Sequence, residues 1–138
     1  MDSRLKHLID EYLDAVRLAV ALLEEAGIPR PASARAWTTT GISGTGALRD
    51  GATYRKHGHG CEVHLASGSV DFDFGKAGQI NGFDAWRLAE FAGNRLAAFG
   101  FNSRDELEHV FKVEVESGKI STSDYTLHYI AEAGDGGR

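Results

Sequence analysis

The chain has 138 residues, of which 42% are hydrophobic and 25% charged, with a formal charge of −5 and one cysteine. That length suits a single domain that buries roughly two thirds of the surface of its unfolded chain. The charge argues against a nucleic-acid binder, which shows a basic face; the lone cysteine excludes an internal disulfide; no apolar run is long enough to span a bilayer.

Asp2, Arg4, Lys6 and Asp10 interrupt the first residues, so no signal peptide is read there and a cytoplasmic location is expected. Residues 3–27 form the first predicted helix. Leu5, Leu8, Ile9, Tyr12, Val16, Ala19, Val20 and Leu23 recur at helical spacing, and Leu13, Leu18 and Leu22 widen the stripe. Asp2 or Ser3 caps its start and Gly27 its end, with Pro29 and Pro31 preventing continuation.

Residues 28–56 carry weaker signals. Ala36-Trp37-Thr38-Thr39-Thr40 has strand composition. Gly41, Gly44, Gly46 and Gly51 then read as turns and loop. Gly41 to Gly46 lacks the Gly-Lys-Ser/Thr ending of a phosphate loop and the second glycine of a nucleophile elbow.

The clearest alternation lies between His57 and Phe74. A turn at Ser67-Gly68 gives a hairpin of about 61–66 and 69–74, pairing Leu65 with Val70, His64 with Asp71, Val63 with Phe72, Glu62 with Asp73 and Cys61 with Phe74. Cys61, Val63, Leu65, Val70, Phe72 and Phe74 then form a dry face, and Glu62, His64, Asp71 and Asp73 a wet one. Gln79-Ile80 suggests a further short strand. A second helix is expected over 84–99, capped by Asp84 and stapled by Phe83, with Leu88, Phe91, Ala92, Leu96 and Phe99 inside and Trp86 and Arg87 at the edge of the stripe. A third covers 104–117, opened by a Ser103/Glu106 capping box, with Leu107, Val110, Phe111 and Val115 inside and Gly118 as its stop. Phe111, Val113 and Val115 also alternate as a strand would. Tyr125, Leu127 and Tyr129 read as a last strand, and 134–138 as a mobile tail after a single domain of 1–133.

Three groups carry possible chemistry. His57, His59 and Cys61 can share a strand face, which makes the two histidines candidate metal ligands. No Cys-x-x-Cys or His-Glu-x-x-His pattern supports them, and Gly58 and Gly60 favour a bulge, so neither a metal nor a cofactor is expected. Cys61 on the dry face behaves as a small hydrophobe rather than a nucleophile. Glu62, His64, Asp71 and Asp73 bring carboxylates and an imidazole together. Such a group can do acid–base work or hold a hard cation, or it can be an acidic patch that steers a basic partner.

The block His57-Gly-His59-Gly-Cys61, Val70-Asp-Phe-Asp-Phe-Gly75 and Gly82-Phe-Asp-Ala-Trp-Arg-Leu88 resembles an uncharacterised bacterial domain family, specifically over 54–91 and more loosely outside. That resemblance implies a small domain with one helix before the block and another after it, and brings no settled activity. Small acidic proteins of this kind also resemble, by analogy, the immunity proteins of bacterial toxin systems.

The expectation is therefore an α+β domain, with a small, mainly antiparallel sheet packed on two or three helices. The leading functional expectation is a cytoplasmic immunity protein that docks on a cognate, possibly basic, toxin and occludes it. Glu62, His64, Asp71, Asp73, Trp86 and Arg87 are the candidate partner-binding residues. The alternatives are a small metal-dependent hydrolase using the acidic/His cluster, placed behind binding, and a homo-oligomeric scaffold using the broad apolar surface of the first helix.

Overall fold

The computed structural model describes residues 1–27, 44–57, 60–73 and 84–120, apart from the side chains of His57 and Asp73. The expectations placed on Trp37, Gln79-Ile80, the Phe83 staple, Tyr125–Tyr129 and the tail lie outside the described residues. So do His59 and Phe74.

Helix α1 runs from Ser3 to Glu25 because its first turn is capped from outside. The Asp2 carboxylate accepts from the Arg4 and Leu5 amides at 2.9 and 3.2 Å. Gly27, at φ 84°, closes the other end. Its buried stripe contains Leu5, Leu8, Ile9, Tyr12, Val16, Ala19 and Leu23, with Leu13 and Leu22 beside them; Leu18 is exposed.

Four strands follow as an antiparallel meander in the order β1-β2-β3-β4: Thr45–Ala47, Thr53–His57, Gly60–Leu65 and Gly68–Asp73. The first two correct the reading of this stretch as turns and loop. Gly46 is a strand residue, and it is glycine because the Tyr54 ring lies where a side chain would go: a Cβ there would sit 2.3 Å from Tyr54 Cε1. Leu48 to Ala52 makes the connection, with the Leu48 amide donating to the Ala52 carbonyl at 2.7 Å.

The hairpin register is also corrected. Leu65 pairs with Gly68, His64 with Ser69, Val63 with Val70, Glu62 with Asp71, Cys61 with Phe72 and Gly60 with Asp73. The turn is Ala66-Ser67, and Gly68 opens β4. Helix α2, Ala85–Ala92, fixes that choice: Gly68 has φ 149°, and a Cβ on it would meet the Phe91 carbonyl oxygen at 2.3 Å. The shift is by two residues, so every side chain keeps its face. Cys61, Val63, Val70 and Phe72 are buried against the helices.

Asp84 caps α2, accepting from the Arg87 amide at 2.8 Å. The expected single helix over 84–99 is interrupted. Gly93, at φ 54°, stops α2, and two short 3₁₀ turns, Gly93–Arg95 and Ala97–Phe99, carry the chain to Gly100. Leu88, Phe91 and Phe99 are nevertheless buried as the spacing requires.

Helix α3 spans Arg104–Glu116. Ser103 Oγ accepts from the Glu106 amide at 3.1 Å, and Glu106 Oε1 reaches back to the Asn102 amide at 2.8 Å. This settles the helix-or-strand ambiguity at Phe111–Val115. Leu107 and Phe111 point inward and Val110 is half-buried, but Val115 is exposed and Glu114 takes the inner position instead.

The helices and the dry face of the sheet share one core, with the Tyr12 and Phe91 rings edge to face at 5.5 Å. Each fully buried side chain of the size of Val63 or Leu88 contributes about 1.5–3 kcal/mol. Arg4 ties the start of α1 to the segment 100–106. It pairs with Asp2 at 2.9 Å, donates to the Gly100 carbonyl at 3.0 Å, approaches Glu106 at 3.5 Å and lies 4.7 Å from the centre of the Phe101 ring.

Candidate functional site

The wet face of the sheet is organised in rows set by the register. One row places Arg55 opposite Glu62 and Glu62 opposite Asp71. Arg87 continues it from α2, with Nη2 3.4 Å from Asp71 Oδ2 and Nη1 3.1 Å from Asp84 Oδ2. Arg55 forms an ion pair with Glu62. The row therefore reads plus, minus, minus, plus, minus. A second row places Thr53 opposite His64 and His64 opposite Ser69, with His64 Nδ1 and Ser69 Oγ 2.9 Å apart.

Glu62, His64 and Asp71 share the face that the alternation gives them, and the ion pairs add charges that the alternation does not show. Glu62 and Asp71 are neighbours, but each has its own guanidinium. Arg55 lies in the stretch with weak sequence signals, and Arg87, an expected anchor, is also the partner of Asp71. Asp73 pairs with Gly60 in the register. A hydroxyl hydrogen-bonded to an imidazole is a fragment of a nucleophilic site, and Ser69 is a residue the sequence reading missed. Its signal was the same hairpin, read two residues out of register.

Arg87 is the best-buried charge in the site, with 11% of its side chain exposed and 17% for Asp71. Its Nε is buried and makes no hydrogen bond among the described residues. Trp86, one position earlier, is 51% exposed, and the Arg87 guanidinium carbon lies 5.9 Å from the centre of its ring. Tyr12 is buried within electrostatic reach of this corner. Burial pushes its pKa well above the usual tyrosine value, Arg87 opposes that rise, and Asp71 and Asp84 add to it. Tyr12 is therefore a neutral phenol at any physiological pH.

Cys61 is fully buried on the dry face, where the alternation placed it. Burial, with smaller contributions from Asp71 and Glu62, pushes its thiol up to about 12. A thiol so protonated is neither a nucleophile nor a ready ligand. Among the described residues, no group of three His, Cys, Asp or Glu side chains is placed to hold a metal ion.

Together these features define a small α+β domain in which helices cover one face of a four-stranded antiparallel sheet and the other face carries a charge-paired polar row ending at an exposed tryptophan. The chain belongs to a family described as a domain of unknown function, DUF6896, which matches residues 5–130. The match reaches well beyond the 54–91 block. No curated protein and no solved structure matches the chain. Among the described residues, no helix is long and apolar enough to cross a membrane.

Proposed function

We propose that this is a binding protein that acts by docking and occlusion, most concretely a cytoplasmic immunity protein that neutralises a cognate bacterial toxin. The observation that carries the reading is the Trp86–Arg87 corner. An aromatic ring stands half in solvent on the first turn of α2, and the arginine beside it is held by Asp71 and Asp84. Trp and Arg dominate the energetic centres of interfaces. A side chain already locked in place loses little further entropy on binding.

The same geometry favours binding over acid–base catalysis. Glu62 and Asp71 are occupied by Arg55 and Arg87. The formal charge of −5 still attracts a basic partner at long range. At contact distance the row is close to neutral, so shape and the Trp86 ring supply the selectivity.

The test is co-expression with a toxin encoded beside the gene, scored by growth rescue and by co-purification. Rescue with a stable complex, both lost in Trp86→Ala while that variant keeps its melting temperature, supports the proposal. Failure to rescue any neighbouring toxin, with no complex formed, overturns it.

A further inference from the structure

We draw no further inference here: the strongest candidate, the polar face of the sheet with the Ser69–His64 pair and Trp86 at its rim, belongs to the site already described, and nothing in the structure shows what covers it.

Discussion

Glu62 stands directly opposite Asp71 across the β3–β4 ladder, and an arginine flanks this pair on each side. Two carboxylates in register repel one another. Arg55 and Arg87 offset that repulsion from opposite sides, and they do so in different surroundings. Arg55 is 57% exposed, whereas Arg87 is mostly buried.

The two ion pairs should therefore differ in strength. A double-mutant cycle on Asp71 and Arg87 is expected to give a coupling of about 1.5–3 kcal/mol, as for hydrogen bonds to charged groups away from water. The same cycle on Glu62 and Arg55 should give less than about 1 kcal/mol and shrink in high salt. Urea unfolding of the single and double alanine variants measures both. Equal couplings would mean that Arg87 is no better protected than Arg55.

Gly68 and Gly93 separate two reasons for a glycine. Gly68→Ala forces a Cβ against the Phe91 carbonyl and should cost about 2–3 kcal/mol, combining overpacking with backbone strain. Gly93→Ala meets nothing within 4 Å and carries only the backbone strain of φ 54°, ψ −126°, on the order of 1–3 kcal/mol. Thermal unfolding of the two variants should rank them in that order. A milder Gly68→Ala would place α2 farther from β4 than the structure does.

Burial of Cys61 and Tyr12 gives stability an alkaline limb. Below the ordinary thiol value of 9.0 both the folded and unfolded chains keep the proton. Above it the unfolded chain ionises first, so stability is lost as pH rises from 9.0 toward about 12. Tyr12 acts in the same direction above its ordinary value of 10.0. Unfolding at about pH 8 and about pH 10.5 should show the loss, and Cys61→Ala should flatten it. In the folded protein a disulfide reagent should modify Cys61 only as fast as the domain opens. Rapid labelling of the native state would contradict its burial.

Trp86→Ala should change folding stability by no more than about 0.5 kcal/mol, because half of the ring is already in water. If the corner anchors a partner, the same change should weaken that complex by about 2 kcal/mol or more, read by calorimetry. The association rate constant should fall with salt, reflecting the net charge. The dissociation rate should barely move, because the contact row is balanced.

The hairpin shows why some of this was legible in the sequence and some was not. Alternation has a period of two, so it assigned Cys61, Val63, Val70 and Phe72 to the core and Glu62, His64 and Asp71 to the other face. It does not distinguish registers that differ by two. The deciding contact, Gly68 against Phe91, joins residues far apart in sequence. In the same way Gly46 resembled a loop residue until Tyr54 lay across it, and Gly93 sat unnoticed within a helical pattern. The candidate site was legible as a set of acids and one histidine. The arginines that neutralise it come from β2 and α2, and pattern alone does not bring them there.

The Arg4 clamp also bears on the order in which the chain assembles. Its hydrogen bond to Gly100 and its approach to Glu106 span 96 and 102 residues. The meander from β1 to β4 closes by short loops and needs no such span. Residues 100–106 are synthesised after α1, so the contacts that hold Arg4 wait for them. Until then its apolar stripe has nothing at residues 100–106 to lie against. The clamp thus fastens one end of a helix whose stripe also lies on β3, β4 and α2, all of them earlier in the chain than residue 100.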